Sequence, residues 1–148
     1  MSNVDVAADI EIAADPADIA AVMFDPAREA EWMGAVTSVE ILDPALVKGA
    51  RVRHQGRMMN QAFSWMTEVE AVHFPHVLAF KVTDGPLDFV FHGSDQRSGA
   101  GSRVRIRSAG EPGAAFSFVP AAMIAGPLRS ALTADLERLK AIVESDQA

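Results

Sequence analysis

The feature that most constrains this fold is a series of short segments in which apolar and polar residues alternate. Segments 63–70, 78–82, 87–92 and 103–107 place apolar side chains at nearly every second position, with mainly polar or charged side chains between them. Segments 4–12, 36–42 and 51–58 follow the same pattern. A period of two is typical of strands with one buried and one solvated face, and turn signals such as Asp84-Gly85-Pro86 separate the segments. This pattern therefore predicts a first strand followed by an antiparallel meander of six strands.

Helix signals occupy the two regions that lack this alternation. Asp15-Pro16 and Asp25-Pro26 each combine an N-cap residue with a proline at the first helical position, which predicts two short helices between the first and second strands. The second of them ends at about Trp32. Near the carboxyl end, Gly126-Pro127 must start or kink a longer helix. Its single apolar stripe consists of Leu128, Leu132, Leu136, Leu139 and Val143.

Charged residues are distributed unevenly along the chain. The net charge is -7, yet residues 48–107 hold nine basic and five acidic side chains, a local excess of four positive charges. Pairing the first strand with the last, and the third with the fourth, places opposite charges across from each other. We therefore interpret the charged face as solvated and expect no nucleic-acid partner, because the aromatic residues lie on the other face. The expected partners are Asp5, Asp9 and Glu11 with Arg103, Arg105 and Arg107, and Glu68 and Glu70 with Arg51, Arg53 and Arg57.

Composition and motifs exclude several classes of chemistry. The chain has no cysteine and no tyrosine, which excludes disulfides, thiolate metal sites and nucleophilic cysteines. No nucleotide-binding glycine motif or metal-binding histidine motif is present, so the sequence predicts neither a cofactor nor a metal. No apolar run approaches the roughly 18 residues of a membrane span, and the first residues do not resemble a signal peptide. We therefore expect a cytoplasmic protein without an integral membrane segment, folded as one domain over residues 1–148.

The order of these elements closely resembles the START/Bet v 1-like (SRPBCC) superfamily, and within it the polyketide cyclase/dehydrase-like group. Segment 12–19 resembles the first strand of that group and its "A-x-P-x-x-V" helix start, and Asp25-Pro26 followed by Trp32 resembles its "D-P-x…W" segment. Segment 48–52 resembles its entry to the third strand, segment 101–104 its "G-T-x-V" with serine for threonine, and segment 132–144 its closing helix. The resemblance implies an α+β helix-grip fold, in which a curved antiparallel seven-stranded sheet wraps around the long C-terminal helix.

The resemblance also implies a ligand cavity between the sheet and that helix. Trp32 is expected near its mouth, and His54 is the sharpest polar candidate because strand parity places it on the apolar face. The acidic residues, Asp135 among them, are expected on outer faces or at caps, so no carboxylate pair is predicted in the cavity. The candidate ligand-binding residues are Trp32, His54, Met58, Phe63, Trp65, Thr67, Leu78, Phe80, Phe89, Phe91, Met123, Leu128 and Leu132.

Three functions are compatible with this pattern. The first is binding of a small hydrophobic ligand, lipid-, polyketide- or isoprenoid-like, without covalent chemistry. The second is a cyclase or dehydratase that uses His54 as a catalytic acid or base. The third is a protein-interaction module, and a homodimer is compatible with all three. A buried His54 beside a second polar group favours the enzyme. A cavity lined only by carbon, with His54 at the surface, favours the carrier, and a filled interior favours the third. In either of the first two functions we expect His54→Ala to weaken binding or activity far more than stability.

Overall fold

The computed structural model describes residues 3–147 except 59, 114, 115 and 117, together with the backbone but not the side chain of Met58. It contains seven strands and three α-helices within these residues, which confirms the α+β class. The elements are β1 (Val4–Ile12), α1 (Pro16–Met23), a 3₁₀ turn (Pro26–Arg28), α2 (Glu29–Trp32), β2 (Val36–Ile41), β3 (Arg51–Met58), β4 (Gln61–His73), β5 (Val77–Asp84), β6 (Leu87–Ser98), β7 (Gly101–Pro112) and α3 (Ala121–Asp146).

The seven strands form one open, curved antiparallel sheet. Their order is β1-β7-β6-β5-β4-β3-β2, so the first strand pairs with the last, as the charge pattern predicts. Helix α3 packs against β1, and α1 and α2 also contact α3. Because Leu132, Leu136, Leu139 and Val143 are buried along α3, its apolar stripe faces the concave side of the sheet. This arrangement is the helix-grip fold.

Helix α1 begins at the predicted residue, and a 3₁₀ turn that leads into α2 begins where the second helix is predicted, but the two starts are capped differently. Asp25 accepts a hydrogen bond from the backbone N–H of Ala27 at 2.9 Å, as an N-cap carboxylate does. Asp15 stands at the N-cap position of α1 but makes no capping hydrogen bond with its side chain. Its carboxylate instead contacts Arg97 at 2.7 Å, so this side chain links the start of α1 to the β6–β7 turn.

On the outer face of the sheet, the predicted ion pairs form between β1 and β7. Arg107 contacts Asp5 at 2.6 Å, and Arg103 contacts Asp9 at 2.7 Å, across the β1–β7 ladder. Between β3 and β4, Arg51 and Glu68 are cross-strand partners as expected, but the ion pairs of both strands are formed with other residues. Asp43, in the β2–β3 connection, accepts hydrogen bonds from both the backbone N–H and the side chain of Arg51. Arg51 therefore forms its ion pair with Asp43 rather than with Glu68. Glu68 and Glu70 lie closest to Lys81 on β5, at 3.9 and 4.0 Å, and Arg53 lies 3.8 Å from Glu40.

The polar stretch between the last two strands is paired rather than looped. The sequence predicts a hairpin loop over residues 94–102, but β6 continues to Ser98 and β7 begins at Gly101. Gly99 adopts a φ of +59°, which allows the chain to reverse within this short turn. The prediction was wrong because the inward positions of this stretch are polar. Asp95, for example, is buried, and its carboxylate lies 3.2 Å from Nδ1 of His76.

Helix α3 begins earlier than Gly126-Pro127. It starts at Ala121, so Pro127 lies inside the helix, within its second turn. A proline there removes only the hydrogen bond to the carbonyl four residues earlier, that of Met123. Within the part of the chain that the structure describes, no helix has the length and apolar character needed to cross a membrane.

Candidate functional site

A cavity of about 300 Å³, termed here the ligand cavity, lies between the sheet and α3. Its volume is at the lower end of the range for small-molecule sites. The sheet supplies aromatic side chains and α3 supplies aliphatic ones, so most of its surface is apolar. The aromatic residues are Trp65, Phe80, Phe89 and Phe91, and the residues from α3 include Met123, Ile124, Leu128 and Leu132.

Three polar side chains line the ligand cavity, namely those of Arg57, Ser108 and Asp135. Ser108 and Asp135 are each 6% exposed, whereas Arg57 is exposed. The expectation that Asp135 faces outward is therefore wrong. Asp135 follows Leu132 by three residues and precedes Leu139 by four, so it lies on the same buried face of α3.

Asp135 also connects α3 to the segment that follows α2. Its Oδ1 accepts a hydrogen bond from the backbone N–H of Gly34 at 3.0 Å and another from Arg138. Arg138 in turn donates to the carbonyl of Trp32 at 3.0 Å. Burial raises the pKa of the Asp135 carboxyl, while the Gly34 N–H and the Arg138 charge act in the opposite direction. The ligand cavity thus contains a carboxyl group that is partly compensated rather than free.

A second polar cluster surrounds His54 on β3. His54 is 3% exposed. Its Nε2 lies 2.9 Å from Oγ1 of Thr67, and its Nδ1 lies 2.7 Å from Oε2 of Glu29. A carboxylate oxygen can only accept, so this close approach requires a proton between Nδ1 and Oε2. The imidazole also stacks on the indole of Trp65, with ring centroids 5.4 Å apart and planes 7° from parallel.

His54 does not line the ligand cavity. It lines a second cavity of about 30 Å³, termed here the inner cavity, which lies between α2 and the sheet. Glu29, Trp32 and Thr67 line the inner cavity as well. Met33, Phe80 and Phe91 line both cavities, so the two spaces meet at these three side chains.

The structure distributes the candidate residues over both cavities. Trp65, Phe80, Phe89, Phe91, Met123, Leu128 and Leu132 line the ligand cavity, and Trp32, His54, Thr67, Leu78, Phe80 and Phe91 line the inner one. Phe63 lines neither of them and packs edge-to-face on Phe116, with centroids 5.5 Å apart. The side chain of Met58 lies outside the described residues.

Two of the candidate positions differ from expectation in their exposure. Trp32 is only 2% exposed and lies deep in the protein, so the prediction that it lies near the mouth is wrong. A helix of four residues carries it, and the connection of α2 to α3 through Arg138 covers that helix. Met123, by contrast, lines the ligand cavity while 63% of it is exposed, which places it at the opening.

Sequence reasoning missed Glu29, Ser108 and Asp135 as site residues. The spacing of Glu29 to Trp32 and Met33 is three and four residues, which places all three on one side of the turn. Ser108 lies two residues after Ile106 and four after Val104 on β7, and both of these residues are fully buried. Continuing their alternation to the next inward position would have identified Ser108. For Asp135, the helical spacing to Leu132 and Leu139 was the available signal.

Comparisons with solved structures show the same fold in proteins of low sequence identity. A Thermus thermophilus protein is 18% identical, with a TM-score of 0.83 over 97% of this chain and 99% of that chain. The ZhuI aromatase/cyclase from a Streptomyces species is 16% identical, with a TM-score of 0.81 over 99% and 97%. Ara h 8.0201 is 12% identical, with a TM-score of 0.73 over 97% and 99%. At these identities the likeness shows the fold alone.

The family assignment comes from the sequence rather than from these structures. No curated protein matches the chain. A model of the family described as polyketide cyclase / dehydrase and lipid transport matches residues 3–144, which is nearly the whole chain. The chain therefore belongs to the polyketide cyclase / dehydrase and lipid transport family.

Proposed function

We propose that the protein binds a small, mainly apolar molecule in the ligand cavity, as a carrier or sensor. The observation that carries the proposal is the cavity of about 300 Å³ between the sheet and α3, lined largely by aromatic and aliphatic side chains. Protein interiors are close-packed, and empty apolar space of this size lowers stability. A space that the fold keeps open in this way is more consistent with a binding site than with a packing core.

The lining indicates the chemical class of the ligand. Phe80 and Phe91 stack with centroids 4.9 Å apart and present flat apolar surfaces to the cavity. Ser108 and Asp135 provide isolated polar atoms, enough to orient a ligand but too few to solvate a highly polar one. We therefore propose a lipid-, polyketide- or isoprenoid-like ligand with few polar groups.

An enzymatic function, as a cyclase or dehydratase, is the second candidate. The observation in its favour is that His54 is buried between Glu29 and Thr67, an arrangement that holds a proton beside a carboxylate. Against it, both ring nitrogens of His54 are already in contact with Glu29 and Thr67, so neither is free for a substrate. Binding without chemistry requires no free ring nitrogen, so we place it first.

Native mass spectrometry of the purified protein, with organic extraction of whatever copurifies, tests the proposal. The matched variants are Ser108→Leu, which fills the ligand cavity, and Ser64→Leu, which makes the same chemical change at an exposed position of β4. We expect an apolar molecule bound to the wild-type protein and to Ser64→Leu, but not to Ser108→Leu. A bound molecule retained equally by all three proteins would place the site elsewhere.

A further inference from the structure

The inner cavity combines a very small volume with a buried indole N–H, that of Trp32, which has no hydrogen-bond partner. Its volume of about 30 Å³ is close to the share of space that one water molecule occupies in the liquid. Among the described residues, four buried side-chain atoms lack a hydrogen bond of regular geometry. Three of those four belong to residues that line this cavity, but Oε2 of Glu29 and Nδ1 of His54 lie 2.7 Å apart and face each other, which leaves Nε1 of Trp32 without a partner.

A buried indole N–H is costly unless an acceptor occupies the space beside it. A buried polar group without a partner lowers stability by about 1–3 kcal/mol. Trp32 offers an N–H that can only donate, and the carboxylate of Glu29 can only accept. An oxygen atom that carries a proton satisfies both groups at once, because it accepts from the indole and donates to the carboxylate. A carbonyl or ether oxygen satisfies only the indole.

We infer that the inner cavity is a recognition site for one hydroxyl group, formed by Glu29, Trp32 and His54. A water molecule occupies it in the free protein, and the hydroxyl of a ligand whose apolar body lies in the ligand cavity replaces that water. This inference rests on the proposed binding function and narrows it to ligands with a hydroxyl group. Access is through Met33, Phe80 and Phe91, the side chains at which the two cavities meet.

Three compounds with the same apolar body separate the possibilities. Menthol has a hydroxyl group, menthyl methyl ether has an oxygen without a proton, and p-menthane has neither. Their affinities are measured by displacement of the apolar fluorophore N-phenyl-1-naphthylamine. We expect menthol to bind about tenfold more tightly than either of the others, the effect of a hydrogen bond to a charged group. Without a hydroxyl site the order reverses, because burying an unpaired hydroxyl is unfavourable.

Two variants assign the preference to the inner cavity. Trp32→Phe keeps an aromatic ring but removes the N–H, and we expect the preference for menthol to fall to about threefold or less. Ser108→Ala removes the competing hydroxyl of the ligand cavity, and we expect the preference to persist. The opposite result, with the preference lost in Ser108→Ala and kept in Trp32→Phe, would overturn the inference.

Nuclear magnetic resonance tests the water separately from any ligand. The chain has two tryptophans, so in Trp65→Phe the remaining indole N–H signal belongs to Trp32. We expect a nuclear Overhauser effect between this proton and a bound water, and its loss when menthol is added. If the indole proton shows no nuclear Overhauser effect to water and its chemical shift does not change when menthol is added, the site is refuted. If the fluorophore itself does not bind, the proposed function fails, while the water contact still decides whether the inner cavity is a polar site.

Discussion

Filling the ligand cavity from the sheet side should stabilise the protein and abolish binding. Ser108 lies on β7 opposite Phe91, is 6% exposed and lines the cavity. Ser108→Leu replaces one hydroxyl by three carbon groups, each worth about 0.8 kcal/mol when buried, or about 2.4 kcal/mol in all. Allowing about 0.5 kcal/mol for the loss of a buried hydroxyl, the expected gain is about 2 kcal/mol. For a chain of this length such a gain raises the Tm by about 4–8 °C.

Urea titration and calorimetry measure the stability, and fluorophore titration measures the binding. We expect Ser108→Leu to weaken the binding of N-phenyl-1-naphthylamine at least tenfold, since the leucine side chain occupies the same space. Ser64→Leu, on the outer face of β4, should change neither quantity. A loss of about 1–3 kcal/mol in Ser108→Leu is the signature of overpacking and would show that the space is not available. A stabilised variant with unchanged affinity would refute the placement of the ligand.

The remaining predictions concern the buried polar groups and the core. His54→Ala should destabilise the protein by about 3–5 kcal/mol because it leaves Glu29 buried without its partner, and a change below about 1 kcal/mol in urea titration would contradict this. Burial raises the pKa of Asp135 above its ordinary 3.8, so its contribution to stability is complete below pH 3.8 and is lost as the pH rises through the raised pKa. Asp135→Asn should therefore lose less stability than the wild type as the pH rises above 3.8, and parallel curves of stability against pH would count against that cause. Leu139→Ala, at a fully buried position of α3, should cost about 2–5 kcal/mol by the same titration, and near-neutrality would contradict the packing.

The burial of His54 changes what its removal tests. From the sequence, His54→Ala is expected to weaken binding far more than stability, since strand parity shows only which face the residue occupies. The structure adds a charged partner at 2.7 Å, and breaking a buried pair lowers stability by itself. The residue is therefore a poor probe of binding, and Trp32→Phe is the better one for the inner cavity.

Local patterns in the sequence predict most of the fold. Alternation along β4 and β7 reports directly which side chains face inward, and the charges of Asp5 and Arg107 indicate that β1 pairs with β7. The same alternation does not predict the full length of the β6–β7 hairpin, because the inward-facing residue Asp95 is polar. Hydrophobic alternation cannot identify a strand where the buried positions carry charge.

The candidate site is less predictable because it depends on contacts between distant segments. Glu29 and His54 are 25 positions apart in the chain, and nothing in either local pattern indicates that α2 folds over β3. The existence of two cavities rather than one likewise depends on how Phe80 and Phe91 pack between them. A cytoplasmic location and a homodimer stay predictions from the sequence.

Binding at the ligand cavity is tested most directly by the fluorescence of Trp65. In the variant Trp32→Phe, Trp65 is the single tryptophan of the chain and lines the ligand cavity. Titration with N-phenyl-1-naphthylamine should give saturable energy transfer from Trp65 with one site per chain, and Ser108→Leu in the same background should abolish it. Transfer that rises without saturation, or that survives the leucine unchanged, would contradict ligand binding between the sheet and α3.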